Sequence, residues 1–134
     1  LKHCSLAYRS DLLRYLGSLP LNMEINCGGR NWLLVHGAPL CMAPETGADE
    51  NGWSRETKRY YTVWHRITPE EPMLPDKTVV FGHTPTRHFQ EGYPMRVFHG
   101  ENRIGIDCGC AYPDGRLGCL RLDDGAVFYS SDEK

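Results

Sequence analysis

The sequence predicts an α/β fold, and three observations carry that prediction. A segment with helical spacing opens the chain, two short continuous apolar runs each end in a histidine, and everything after residue 78 consists of short strand-like runs separated by turn residues. At 134 residues the chain has material for one domain with a real core.

The elements follow in order. Tyr8, Leu12, Tyr15, Leu16 and Leu19 fall on one helical face, Ser5 is placed to cap the start, and Gly17 with Pro20 closes the segment. This predicts a surface helix packing on a sheet. An extended stretch over 22–26 leads to the turn Gly28-Gly29 and then to "WLLV", residues 32–35, which reads as a strand covered on both faces. Residues 38–78 carry Pro39, Pro44, Pro69, Pro72 and Pro75, a concentration of acidic residues, and one helical candidate over 54–64. They predict a long surface excursion of the kind that often carries function. Val79 to Phe81 is a second buried strand; 95–99 and 103–107 flank "GEN"; 117–122 and 126–129 flank "DDG", whose Asp124-Gly125 is a strong hairpin signal. The carboxyl half is thus expected to be a run of antiparallel hairpins, ending in a frayed "SSDEK" tail.

Composition narrows the partners. The formal charge of -2 is mild and interspersed, so no basic stripe points to nucleic acid and no polybasic run to an anionic membrane. No apolar stretch approaches the roughly 18 residues of a membrane span, and the start lacks the pattern of a signal peptide. Six cysteines scattered through an ordinary globular composition favour reduced thiols and a cytoplasmic location. Serine-nucleophile elbows, Walker loops, dinucleotide fingerprints and H-E-x-x-H are missing from the sequence.

The chemistry-bearing residues are few. "LLVHGAP" at 33–39 and "VVFGHTPT" at 79–86 share one grammar, an apolar run driven into a histidine beside glycine and proline. His36 and His83 therefore stand at the carboxyl ends of buried strands, where loops gather and ligands bind. Neutral imidazole is a common ligand for divalent transition metals, and Gly37 and Gly82 would let an ion or anion approach the backbone. The residue types alone fit a pair of hydrogen-bonded structural histidines equally well. Arg55 in "WSRE" and Arg66 in "WHRI" each follow a tryptophan by two residues. Either guanidinium could grip a phosphate through parallel hydrogen bonds, or simply stay solvated. Cys108 and Cys110 form a C-x-C pair, but the other cysteines supply no second pair for a four-ligand site. Asp107 either orients a histidine or closes a strand end.

Taken in order, "LLVHGAP", "VWHRI", "KTVVFGHTPT" and "IGIDCGCAYPDGRLGCLRLDDGAVFYS" resemble the carboxyl half of a calcineurin-like metallophosphoesterase, and more narrowly the bacterial serine/threonine protein phosphatases of the PPP family. The resemblance covers essentially the whole chain. It implies part of a β-sandwich flanked by helices, with 1–134 as the carboxyl-terminal portion of a single domain. It further implies two divalent metal ions in the complete enzyme, manganese foremost and iron, zinc or nickel also suited. His36 and His83 would be ligands of one of them, and Arg66 would be the catalytic arginine holding substrate phosphate, with Arg55 as the reserve. The implied substrate is a phosphorylated protein; a symmetrical dinucleoside polyphosphate hydrolase or a non-catalytic phosphoesterase-like module are the alternatives. The family's G-D-x-H-G, G-D-x-x-D-R-G and G-N-H segments do not occur in the chain. The missing amino-terminal half of the same domain is therefore an expected partner, and the chain alone is expected to be inactive and prone to self-association.

Overall fold

The computed structural model describes residues 4–43 and 54–130; the side chain of Arg55, Pro44 and the last four residues of the expected tail lie outside that set. Two helices and a mixed sheet with a small second sheet make the chain α/β.

Helix α1 spans Leu6–Ser18, with the Ser5 hydroxyl accepting the Tyr8 amide at 3.2 Å, as the capping pattern predicts. Its packing differs from the expectation. No α1 residue is buried, and Leu6, Tyr8, Leu13, Tyr15 and Leu16 face outward. The reason lies in the sheet, both of whose faces are already covered by later segments.

Strands β1 (Asn22–Cys27) and β2 (Arg30–Val35) form a hairpin through Gly28 and Gly29. Both glycines have positive φ, 60° and 72°, as a two-residue hairpin turn of the primed type demands. After β2 come a short 3-10 turn, Leu40–Met42, and helix α2, Arg55–Trp64, capped by Ser54. Strand β3 (Thr78–Phe81) then lies parallel to β2, with Leu33 beside Val79. A second 3-10 turn, Thr86–Phe89, precedes the hairpin of β4 (Phe98–Gly100) and β5 (Arg103–Gly105). The main sheet has the order β1-β2-β3-β5-β4. Strands β6 (Gly118–Leu120) and β7 (Val127–Tyr129) pair separately around the "DDG" turn, where Gly125 takes φ 77°.

Two expectations for the carboxyl half change. Strand β5 docks parallel on β3, so the main sheet is mixed rather than a succession of antiparallel hairpins. Segment 95–99 yields only the last part of a strand, because its polar backbone groups find other partners. The Gln90 amide donates to the Arg96 carbonyl at 3.0 Å, and the Val97 amide donates to the Tyr129 hydroxyl at 3.0 Å.

Strand alternation divides the core in two. Leu33, Val79 and Phe81 point to one face, where Ala38, Tyr61 and Ile67 from the long excursion cover them. Trp32, Val80 and Ile104 point to the other, against Val97 and Cys108, with Leu120, Val127 and Tyr129 of the small sheet closing over them. The continuous run "WLLV" is apolar because its strand is sandwiched between these layers. Trp32 is 1 % exposed, and its indole donates to the Cys27 carbonyl at 3.0 Å. No helix among the described residues is long and apolar enough to cross a membrane.

Candidate metal and phosphate site

Because β2, β3 and β5 are parallel neighbours, their carboxyl ends share one edge of the sheet, and the residues that follow them meet there. These are His36, His83 and Asp107. The hydrogen-bond ladder continues past the strand ends. The Gly82 amide donates to the His36 carbonyl at 3.0 Å, Ile106 to Phe81 at 2.9 Å, and Thr86 to Asp107 at 2.9 Å. The rim is therefore held by backbone bonds rather than by side chains alone.

The two imidazoles lie with ring centres 5.1 Å apart and planes inclined by 50°. Imidazoles binding one ion through nitrogens at about 2.0–2.1 Å, with angles between octahedral and tetrahedral, would have ring centres about 4.6–5.3 Å apart. The pair fits that spacing. It supplies only two donors: among the described residues, no group of three or more His, Cys, Asp or Glu is arranged to hold a metal ion.

His83 is unusual in its backbone. Its φ is 61°, and the Thr84 amide reaches back to the Gly82 carbonyl at 2.6 Å, closing a tight three-residue turn. A non-glycine residue in this region costs on the order of 1–3 kcal/mol and persists where its surroundings over-determine it. Here the Arg66 Nη1 donates to the His83 carbonyl at 3.0 Å, and the Trp64 indole meets the ring edge-on at 5.6 Å. Burial pushes the His83 pKa down, helped by the Arg66 guanidinium and by His36, while the Trp64 carbonyl and Asp107 oppose. The lowered pKa favours the neutral ring, the form in which imidazole ligates a metal.

Arg66 is delivered by the end of α2. The helix stops at Trp64, and Ile67, 1 % exposed, pins the chain into the core on the other side of the arginine. Arg55 begins the same helix, about 14 Å from Trp64 along the axis at 1.5 Å per residue. Of the two arginines, the structure brings Arg66 to His83. Beside it opens a cavity of about 490 Å³ lined by Thr57, Tyr60, Tyr61, Trp64, His65 and Arg66.

The two glycines part company. A Cβ on Gly37 would stand 2.9 Å from the carbonyl oxygens of both Thr62 and His65, and the Gly37 amide donates to Thr62 at 2.9 Å. Gly37 is thus required where α2 packs against the strand end, not to leave room for an ion. A Cβ on Gly82 would meet nothing nearer than the His36 carbonyl at 3.6 Å.

Asp107 Oδ1 accepts the Gly109 amide at 3.0 Å, which ties the carboxylate into its own turn. Cys108 is buried and Cys110 exposed, and burial pushes the Cys108 thiol pKa up. All six cysteines are free.

Sequence reasoning overlooked a group behind Arg66. The Glu71 carboxylate lies 3.2 and 3.1 Å from His65 Nε2 and accepts the Thr68 amide at 3.1 Å. From β5, Arg103 donates to the carbonyls of Thr68 at 3.0 Å and Glu71 at 2.6 Å. The Tyr61 ring stacks on His65 at 4.5 Å. The available signal was "TPEE": a threonine with glutamate three residues on is the spacing of a capping box.

Compared with known proteins, the chain matches no family model, and no curated protein matches it.

Proposed function

We propose that residues 1–134 are the carboxyl-terminal portion of a single calcineurin-like metallophosphoesterase domain. The complete domain hydrolyses phosphate monoesters, phosphoserine and phosphothreonine in proteins foremost. The observation that carries this reading is the meeting of His36, His83 and Arg66 at the shared carboxyl edge of β2 and β3, with 5.1 Å between the imidazoles and the guanidinium on the His83 carbonyl. The layering supports it as well: a sheet covered by a smaller sheet on one face and by a helix and loops on the other is what the carboxyl half of such a sandwich would contribute.

In the complete domain, two divalent metal ions would supply Lewis-acid polarisation of the phosphoryl oxygens and an acidified water for in-line attack. His36 and His83 would hold one of them, and manganese, iron, zinc and nickel all suit imidazole. The Trp64 indole, edge-on to the His83 ring at 5.6 Å, helps to hold that ring in place. Arg66 commits one N–H to His83 and has four more donors with which to bind phosphoryl oxygens and offset their charge in the transition state. The cavity beside it accommodates the remainder of the phosphorylated group. The other ligands and the catalytic histidine would have to be supplied from outside these 134 residues.

The test is to express the chain joined to its own upstream coding segment, load it with Mn²⁺, and assay a phosphopeptide against a dinucleoside polyphosphate. Phosphopeptide hydrolysis is expected, with His83→Ala and Arg66→Ala each lowering kcat/KM by about 10²–10³. Cleavage of the dinucleotide alone would replace the protein-phosphatase reading by the nucleotide one. Cleavage of neither would leave a non-catalytic module. The 134 residues alone are expected to be inactive, and hydrolysis by them that is lost in His83→Ala would overturn the two-half assignment.

A further inference from the structure

We infer that Glu71 is a positioning residue for phosphate binding: together with His65 and Arg103 it forms a strut by which β5 fixes the loop that carries Arg66. This rests on the assignment of Arg66 as the phosphate-binding group.

Arg66 sits on an irregular segment, and a long, exposed guanidinium on such a segment is ordinarily free to wander. Two restraints act on it from opposite sides. In front, its own Nη1 is engaged by the His83 carbonyl. Behind, residues 65 to 71 are closed into a loop by a single carboxylate. Glu71 Oε1 accepts the Thr68 amide, and both its oxygens face His65 Nε2. That loop is then bolted to the main sheet, because Arg103 donates to two of its carbonyls at 3.0 and 2.6 Å. His65 is in turn fixed by stacking on Tyr61, which is 7 % exposed and part of the core.

The pair is sheltered enough to matter. The side chains of His65 and Glu71 are 33 % and 26 % exposed, unlike the fully solvated Arg14–Asp11 pair on α1 at 77 % and 68 %. With the carboxylate gone, the Thr68 amide and the His65 nitrogen lose their partner, and the loop is held only by the Arg103 bonds to its backbone carbonyls and by the core contacts of its ends. Glu71 does not line the cavity beside Arg66, so its influence on binding is expected to pass through Arg66.

Calorimetric titration with inorganic phosphate, in the presence of Mn²⁺, of the chain joined to its upstream coding segment tests this with the variants Glu71→Ala, Glu71→Gln, Arg66→Ala and the double substitution. Glu71→Ala is expected to weaken phosphate binding about 3- to 10-fold, as loss of a supporting interaction does, while Glu71→Gln, which keeps the acceptor for Thr68, stays within about twofold of wild type. In the Arg66→Ala background, Glu71→Ala is expected to have no further effect. A Glu71→Ala chain that is destabilised to urea yet binds phosphate as wild type does, or whose loss persists undiminished without Arg66, overturns the positioning role and leaves the Arg66 assignment standing. A wild-type chain that binds no phosphate, or binds it equally without Arg66, overturns both.

Discussion

Gly37 follows one histidine and Gly82 precedes the other, and alanine at the two positions is expected to give different results. At Gly37 the added methyl group would lie 2.9 Å from two carbonyl oxygens and 3.1 Å from the carbonyl carbon of Val63. All three are backbone atoms in the last turn of α2 or just beyond it, so no side chain can swing aside and the helix end must shift. Overpacking costs typically 1–3 kcal/mol, and a rigid obstacle places Gly37→Ala in the upper part of that range, about 2–3 kcal/mol. The same shift lengthens the 2.9 Å bond from the Gly37 amide to Thr62. At Gly82 the nearest atom is 3.6 Å away, an ordinary contact, and Gly82→Ala is expected to change stability by less than about 0.5 kcal/mol. Urea unfolding of the three chains measures the difference. With slopes of about 1–3 kcal/mol/M for a small domain, Gly37→Ala should lower the midpoint by about 1–2 M while Gly82→Ala leaves it in place. Equal effects at both glycines, or a harmless Gly37→Ala, would refute the assignment of Gly37 to helix packing.

Other outcomes follow from burial and exposure. Burial raises the pKa of Tyr61 and Cys108 above their ordinary 10.0 and 9.0, so the folded state favours their protonated forms. Their contribution to stability is intact at neutral pH and is lost as pH rises through the folded values; unfolding midpoints should therefore fall above about pH 9, and less steeply in a Tyr61→Phe, Cys108→Ala chain. Alkylation at pH 8 followed by peptide mass mapping should label the exposed Cys41, Cys110 and Cys119 well before Cys108, and equal rates would contradict its burial. On α1, Leu13 and Leu16 are 70 % and 48 % exposed; Leu13→Gln with Leu16→Gln is expected to reduce self-association in sedimentation runs without lowering the urea midpoint, and an unchanged association state would show that α1 is not the sticky surface.

The parts of the fold that were legible in the sequence are those fixed by local chemistry. Ser5 caps the first helix, a helix forms within the 54–64 stretch, the turn at Gly28-Gly29 and the hairpin at Asp124-Gly125 form, and the runs ending in Val35 and Phe81 are strands. Whatever depends on a distant partner was not legible. The parallel docking of β5 on β3 is decided by residues more than twenty positions apart, and the shortening of β4 by the hydroxyl of Tyr129, thirty-two residues from Val97. Helical spacing correctly indicated α1, but periodicity carries no information about whether a facing surface is already occupied. At the rim, the grammar of apolar run, histidine and glycine located His36 and His83. It was silent on the left-handed backbone of His83, because the restraints on it come from Trp64 and Arg66. It also treated Gly37 and Gly82 alike, since only the packing of α2 tells them apart.

The continuation of the ladder beyond β2 and β3 bears on how a pair of donors comes to act as one ligand. Neighbouring strands lie about 4.8 Å apart whatever their sequence, and the amide of Gly82 on the carbonyl of His36 carries that spacing into the loops. The bite of the two imidazoles then depends on the peptide lattice, which sets His36 opposite Gly82, together with the left-handed turn that places His83 one residue on. If the pair holds an ion as proposed, an ion captured by either ring would find the second at a high effective concentration, as in a rigid bidentate chelator, with the ordering already met in folding. Cutting the lattice, and not only removing a ring, would then loosen the hold on the ion.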